Sequence, residues 1–136
     1  ESIPLPEPPA EVTLEDSGEI TDTPTLYDRH SITAQEREAF TRRMSDHIRH
    51  KALRAENVTY QTAAGRLEIC IAYRNDSNDP DTMTYRISWY ERTDKGLHLV
   101  DCENGIHLEQ AARHMADFAL LSECGLTLRE ILYPAA

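Results

Sequence analysis

The stretch that decides the fold is residues 57–104, which read NVTYQTAAGRLEICIAYRNDSNDPDTMTYRISWYERTDKGLHLVDCEN. Apolar and polar side chains alternate along four segments of it, and residues that favour turns separate each segment from the next. Those turns fall at Gly65, at residues 75–81 and at residues 94–96. Alternation with a period of two is typical of strands that bury one face. The stretch therefore predicts a four-stranded antiparallel meander.

One face of this meander is expected to be apolar and the other mixed. The positions predicted to point inward are Val58, Tyr60, Leu67, Ile69, Ile71, Met83, Tyr85, Ile87 and Trp89. Burying one such side chain contributes roughly 1.5–3 kcal/mol, so this face has to be covered. The opposite face is compatible with contact to water, and it carries Glu68, Cys70, Ala72, Arg86, Ser88 and Tyr90. A sheet of this kind is expected to have helices on one face only, which is an α+β fold.

A helix is predicted before the sheet, within residues 31–56. Thr33 and Glu36 fit a capping box, in which each side chain binds a free backbone amide of the first turn. Apolar residues then recur every four positions and form a single stripe, which consists of Phe40, Met44, Ile48 and Ala52. This spacing is typical of an amphipathic helix, and we expect the stripe to lie on the sheet.

A second helix is predicted after the sheet, within residues 105–124, followed by a short helical turn at residues 128–133 that Thr127 caps. This region holds more large apolar residues than one packed face needs. They either wrap around the edge of the sheet, which is the alternative we favour, or form the surface of a homodimer. The residues of this region that we retain as candidates for partner contact are Leu121, Leu128 and Leu132.

The first 30 residues differ from the rest in composition. They contain eight acidic residues and only Arg29 as a base, in a chain of net charge −10. Proline-rich acidic segments with few apolar residues are typical of disordered chains. Residues 1–30 are therefore predicted to form an extended tail, and residues 31–136 a single domain. The proline-rich start favours polyproline II, which docking grooves recognise, and the tail residues expected to contact a partner are Pro6, Pro8, Pro9, Glu11, Glu15 and Asp16.

Basic residues concentrate in the first predicted helix. Residues 31–56 carry six bases against four acids, a net charge of +2. Arg42, Arg43 and Arg49 are the residues of this helix that we expect at an interface. Their partner is either a carboxylate-rich protein or a phosphate group, and the acidic tail of the same chain is a third candidate.

No spacing in the sequence indicates a catalytic or metal site with any specificity. His47 and His50 are three residues apart, but no third ligand follows at a telling distance. Residues 76–81 lack the glycine and glutamate of an EF-hand loop. Cys102 and His107 lie close in sequence, and a cysteine nucleophile would need a histidine within hydrogen-bonding reach. The sequence therefore predicts no cofactor and no metal, with a cysteine-dependent enzyme at Cys102 as an alternative.

The cysteines and the hydropathy pattern predict a cytoplasmic protein. An odd number of cysteines favours free buried thiols in a reducing compartment, with one disulfide and a spare thiol as the rival, and the three cysteines are Cys70, Cys102 and Cys124. No apolar run approaches the ~18 residues of a membrane helix, and no signal-peptide pattern is present. Because the chain begins at Glu1, an upstream leader that has been removed is an open alternative.

These observations predict a protein without enzymatic activity that acts by binding another protein, as an inhibitor, an adaptor or a chaperone-like module. The order of one helix, antiparallel strands and another helix is similar in layout to small acidic secretion chaperones, and no residue motif carries that similarity. A homodimer is an open alternative, and no membrane partner is indicated. The runner-up function is nucleic-acid binding through residues 33–54, with the acidic tail as an intramolecular competitor.

Overall fold

The computed structural model describes residues 22–134 as an α+β fold built on one antiparallel sheet. Two helices precede the sheet and two follow it. In chain order the elements are α1 (Asp22–Arg29), α2 (Ala34–Leu53), β1 (Val58–Thr62), β2 (Gly65–Tyr73), β3 (Thr84–Thr93), β4 (Gly96–Ile106), α3 (Leu108–Glu123) and α4 (Leu128–Leu132).

The four strands follow one another across the sheet in the order β1-β2-β3-β4, and each neighbouring pair is antiparallel. Ile69 of β2 lies opposite Val58 of β1 on one side and opposite Ile87 of β3 on the other. A register in which apolar residues face one another gathers them on one surface, because side chains alternate between faces along each strand. The predicted meander is therefore confirmed.

Both edge strands have features that discourage further strand pairing. β1 has only 5 residues. β4 has 11 residues, but its register against β3 shifts between Tyr85 and Ile87 and again between Trp89 and Tyr90, with one extra residue on β4 each time. Such bulges bend a strand and interrupt its hydrogen-bonding ladder. Short or bulged edges are a common means of preventing edge-to-edge association.

The core lies between one face of the sheet and α3. Leu67, Ile69 and Ile87 are at most 1% exposed on the sheet, and Met115 and Phe118 of α3 are fully buried against them. The inward positions predicted from the sequence are confirmed, with Tyr60 and Ile71 half-buried and the other seven buried. All of the apolar cover comes from this one side of the sheet.

The first predicted helix forms as α2, and the capping box at its start is present. Thr33 Oγ1 accepts from the amide of Glu36 at 3.0 Å, and Glu36 Oε1 accepts from the amide of Thr33 at 2.7 Å. Its apolar stripe lies elsewhere than expected, because α2 packs mainly against α3 and not on the sheet. α3 occupies the apolar face, so the buried stripe residues Ile48 and Ala52 join the core from the side.

Part of the segment predicted to be an extended tail without core residues is a helix. α1 spans Asp22–Arg29, and its residues Leu26 and Tyr27 are 4% and 5% exposed within the core. Two polar contacts explain its position. The hydroxyl of Tyr27 donates to Asp117 of α3, and the guanidinium of Arg37 lies 5.0 Å from the centre of the Tyr27 ring.

Arg37 completes this three-helix contact. Its Nε and Nη2 atoms lie 3.0 Å and 3.1 Å from the two oxygens of Asp117, which is a bidentate ion pair. α1 therefore packs in the same core as the elements that follow residue 30, where the sequence predicted a domain boundary. The rest of the predicted tail, residues 1–21, lies outside the described residues.

The last described helix, α4, contacts strand β3 of the sheet. Thr127 caps α4 as predicted, with its hydroxyl oxygen accepting from the amide of Glu130 at 3.2 Å. Arg129 of α4 binds Glu91 of β3 with two nitrogen–oxygen distances of 3.1 Å and 3.2 Å. Within residues 22–134, no helix is both long enough and apolar enough to cross a membrane.

Candidate functional site

The face of the sheet opposite α3 carries no helix among the described residues. We call it the outer face. Strand register places alternate residues on it, and a cleft of about 400 Å³ opens there, lined among others by Thr59, Glu68, Cys70, Arg86, Tyr90 and Leu99. This mixed composition agrees with the prediction that the second face of the sheet can meet water. The outer face therefore leaves side chains of all four strands open to contact.

The charged residues of the outer face are mostly basic. Alternation along β2 and β3 brings Arg66, Arg86 and Arg92 to this face, and Glu68 is the acidic residue among them. The face therefore has a net charge of +2 in a chain whose net charge is −10. The remaining acidic residues of the sheet region lie in turns or on the side of the helices, as Glu91 and its contact with Arg129 show.

The arginines of the outer face are only weakly engaged. Arg66 Nη1 lies 3.4 Å from Glu68 Oε2, and Arg66 Nε is buried without a hydrogen-bond partner among the described residues. Arg92 Nη2 donates to the side chain of Gln61 at 3.1 Å, which is a neutral acceptor. Arg86 is exposed and makes no ion pair within residues 22–134. Carboxylates from another molecule would find unused donors here.

The outer face also carries exposed apolar side chains. Four large apolar residues of the described chain are more than half exposed, and two of them, Tyr73 at 60% and Leu99 at 58%, lie on this face. Tyr90 pairs with Leu99 across β3 and β4 and is half-buried. An aromatic and an aliphatic side chain beside three arginines is a composition enriched at the centre of protein interfaces.

The predicted contact residues on α2 do not act as one basic surface. Arg49 lies 2.9 Å from Asp46 and 3.1 Å from Asp81, so two carboxylates already neutralise it. Arg43 stacks over Phe40, with its guanidinium carbon 4.6 Å from the ring centre. Arg42 is exposed and lines a groove of about 460 Å³ between α2, Asp81 and the start of α3.

That groove is polar and of mixed charge. It is lined by two arginines and by three acidic residues, together with Thr41, Ser45, His107 and Leu108. The three acidic residues outnumber the two arginines, so the groove offers no net attraction to a polyanion. This weakens the physical basis for nucleic-acid binding through residues 33–54.

The predicted C-terminal contact residues lie in or beside the core. Leu121 and Leu128 are 0% and 1% exposed, and Leu132 is half-buried against the core. Leu121 and Leu128 therefore have no surface with which to contact a partner. They pack within the domain, as in the alternative that these residues wrap around the sheet. The predicted tail contacts Pro6, Pro8, Pro9, Glu11, Glu15 and Asp16 lie outside the described residues.

Cys102 and His107 are on different surfaces. Cys102 is exposed on the outer face, where Ser88 Oγ lies 3.7 Å from its sulfur, whereas His107 lines the groove beside α2. The structure does not bring the two together as a nucleophile and a base. All three cysteines are free; Cys70 and Cys124 are half-buried. The described part of the chain contains no cluster of three or more residues that could hold a metal ion.

The outer-face residues were absent from the sequence-based list of contact residues, although the signal was present. Residues 57–105 carry eight acids and five bases, and this net charge of −3 argued against a basic surface. A net charge summed over consecutive residues does not show how the charges are divided between the two faces of a strand. The alternation already placed Arg86 on this face, and summing the charges of every second residue of β2 and β3 would have added Arg66 and Arg92 and shown the net positive charge.

The comparisons with known proteins give no functional information. No family model matches the chain, and neither a curated protein nor a solved structure matches it. The similarity to secretion chaperones thus stays one of layout, and the argument for function depends on the chemistry of the outer face.

Proposed function

We propose that the protein is a non-enzymatic interaction module that binds an acidic polypeptide segment on its outer face. The observation that carries the proposal is the outer face itself: a sheet face with a net charge of +2 and exposed apolar side chains, which α1–α4 leave uncovered. Burying Leu99 and Tyr73 would supply apolar contact, and carboxylates of the partner would pair with the arginines. An inhibitor, an adaptor and a chaperone-like module all act through such a surface.

A polypeptide fits this face better than a nucleic acid does. Nucleic-acid affinity arises largely from neutralising many phosphates, and three arginines in a chain of net charge −10 provide little of that attraction. An exposed leucine gains little from a phosphodiester backbone, whereas it gains from apolar side chains of a protein. The acidic character required of the partner follows from Arg86, which is exposed without an ion pair among residues 22–134, and from Arg92, which donates to the neutral side chain of Gln61.

A second copy of the chain fits less well. Two outer faces placed together would bring six arginines against two glutamates, and like charges in contact oppose association. Pairing through an edge is discouraged by the shortness of β1 and by the bulges of β4. The partner is therefore another protein.

The cytoplasm is the proposed compartment. Three free thiols, one of them exposed on the outer face, support a reducing environment.

A pair of crosslinking positions tests the proposal. Leu99 on the outer face and Leu53 at the end of α2 are both 58% exposed, so they form a matched pair. A photoreactive benzoylphenylalanine is placed at position 99 or at position 53 of the full chain, and adducts formed in host cells are identified by mass spectrometry. We expect position 99 to give a defined adduct at an acidic segment of another protein, distinguished by its mass from a crosslink within the chain, and position 53 to give no such adduct.

The crosslinked segment, made as a synthetic peptide, then provides a binding assay. Arg86→Glu is expected to weaken its affinity at least tenfold, because a like charge replaces an attractive one at the interface. Arg43→Glu on α2 makes the same charge change away from the outer face and should leave affinity unchanged. Nucleic-acid adducts, equal adducts at the two positions, no adduct at position 99, or equal effects of the two glutamates would each refute the proposal.

A further inference from the structure

We infer that residues 1–21 of the same chain occupy the outer face and compete there with the partner. This inference rests on the proposed function, since it uses the same surface and names its regulation. It also assigns a role to the acidic excess of the chain.

Charge is the first step. Residues 1–21 contain six acidic side chains and no basic one. The outer face has a net charge of +2, while the groove beside α2 has at least as many acids as bases. Of these two surfaces, the outer face is therefore the one that attracts this segment.

Apolar content and proline are the second step. Residues 1–21 also carry apolar side chains able to meet Tyr73, Tyr90 and Leu99, namely Ile3, Leu5, Val12, Leu14 and Ile20. Four prolines among the first nine residues cannot donate to a strand ladder. Such a segment suits an open face with aromatic residues more than it suits a sheet edge.

Reach is the third step. A segment of 21 residues spans up to about 70 Å when extended, and a compact domain of this size has a radius of gyration of about 13 Å. The described chain begins at Asp22, and Tyr27 fastens α1 to Asp117 on the side of the helices. The segment has enough length to pass an edge of the sheet and lie across the outer face. Its attachment makes binding intramolecular, so weak contacts suffice.

The chain contains its own reporters for this arrangement. Cys70 and Cys102 both lie on the outer face, whereas Cys124 ends α3 on the side of the helices. The full chain is treated with iodoacetamide, and alkylation of each cysteine is followed by mass spectrometry. Cys124 serves as the internal reference. Cover by residues 1–21 would slow the reaction of Cys102 and leave that of Cys124 unchanged.

The test variant neutralises the segment by Glu7→Gln, Glu11→Gln, Glu15→Gln and Asp16→Asn. We expect Cys102 to react about fivefold faster in this variant, since four of the six negative charges of the segment are lost and exposed ion pairs are individually weak. The matched control removes four negative charges from the domain itself, by Asp28→Asn, Asp76→Asn, Glu109→Gln and Glu123→Gln. It should leave the Cys102 rate near the wild-type value, because the segment keeps its charge.

A double-mutant cycle separates cover from direct charge effects on the thiol. In the Arg86→Glu background, neutralising the segment should no longer change the Cys102 rate, because the attraction is already lost. The comparison is the ratio of the Cys102 rates with and without the neutralised segment, both measured in the Arg86→Glu background. Any direct influence of the new carboxylate on the thiolate is the same in both and cancels. Thermal unfolding confirms that each variant is folded.

Three results would overturn the inference: equal Cys102 rates in the wild type and the segment variant, the same increase in the control, or an undiminished ratio in the Arg86→Glu background. None of them bears on whether position 99 crosslinks a partner. The proposed function fails instead when crosslinking at position 99 yields no acidic segment of another protein, whether or not a crosslink to residues 1–21 of the same chain forms. The two failures are therefore distinguishable.

Discussion

The two faces of the sheet are built from the same strands and have opposite relations to the rest of the molecule. On the inner face Leu67, Ile69 and Ile87 are at most 1% exposed beneath α3. On the outer face, one residue away along the same strands, Arg86 is exposed and Arg66 has unused donors. Within residues 22–134 the core therefore lies on one side of the sheet, and the other side can change without loss of that core.

This difference separates residues that stabilise the fold from residues available for function. The apolar residues of the inner face have a sufficient explanation in packing, since they are buried in the core. The outer face has arginines and exposed apolar side chains that contribute little to the stability of the monomer. Exposed side chains that do not stabilise the monomer are explained when they contact a partner.

Leucine truncation on the two faces gives the largest expected difference. Leu67→Ala removes a fully buried side chain beneath α3 and should lower the free energy of unfolding by about 3 kcal/mol, the transfer and cavity cost of such a change. Leu99→Ala removes a side chain that is 58% exposed, and its effect should stay within about 0.5 kcal/mol. Urea unfolding of both variants measures the contrast. Similar losses would mean that the outer face is part of the core.

Glycine substitutions test how closely the backbones of β2 and β3 pack beneath the exposed side chains of the outer face. A Cβ at Gly65 would lie 2.0 Å from the carbonyl oxygen of Tyr90, whereas a Cβ at Gly96 would meet nothing within 4 Å; both residues have positive φ, +153° and +116°. Gly65→Ala should therefore cost about 3 kcal/mol through strain and a backbone clash. Gly96→Ala should cost about 1 kcal/mol through strain alone.

Chemical denaturation compares the two alanine variants directly. A larger loss at Gly65 shows that strands β2 and β3 are closely packed beneath open side chains. Equal losses at the two glycines would show that β2 and β3 separate easily at this point, and the outer face could then not act as a rigid surface.

The sheet was predictable because its signal is local. Period-two alternation, Gly65 and the turn residues gave four strands and identified the buried face, and Thr33 with Glu36 gave the start of α2. Each of these features depends on neighbours a few residues away. Local chemistry of this kind is readable from one sequence.

The features that sequence reasoning missed depend on distant residues. α1 has only Leu26 and Tyr27 to bury, and it is held by Asp117, ninety positions further along the chain. An amphipathic stripe shows that a face of α2 is buried but not that α3 covers it. The basic character of the outer face was missed for a different reason, because charge was counted along the chain and not along alternate residues of β2 and β3.

Tyrosine–aspartate pairs on the side of the helices give the next contrast. Tyr27 donates to Asp117 within the three-helix contact, and Tyr133 donates to Asp101 at 2.9 Å on an exposed surface. Tyr27→Phe should lower the free energy of unfolding by about 1.5 kcal/mol, because a part-buried hydrogen bond to a charged group is lost. Tyr133→Phe should change it by less than about 0.5 kcal/mol. Thermal denaturation of both variants is the measurement, and equal shifts would mean that α1 contributes little to the domain.

The smallest expected effect is the alkaline sensitivity of the inner face. Tyr85 is 1% exposed, its hydroxyl donates to the carbonyl of Pro80 at 2.7 Å, and burial raises the pKa of Tyr85 to about 12. Its pKa in the unfolded chain is about 10. Between these two values the unfolded chain loses the proton and the folded chain keeps it, so stability falls as the pH rises.

Unfolding by urea at pH 9 and at pH 11 measures that fall, with Tyr85→Phe as the control that cannot titrate. From pH 9 to pH 11 the wild type should lose about 1 kcal/mol more than the variant, because roughly one unit of the pKa difference is expressed by pH 11. The variant starts from a lower stability at pH 9, since it lacks the hydrogen bond to Pro80. Parallel losses in the two proteins would mean that water reaches the Tyr85 hydroxyl, and the inner face would then be less closed than its packing against α3 indicates.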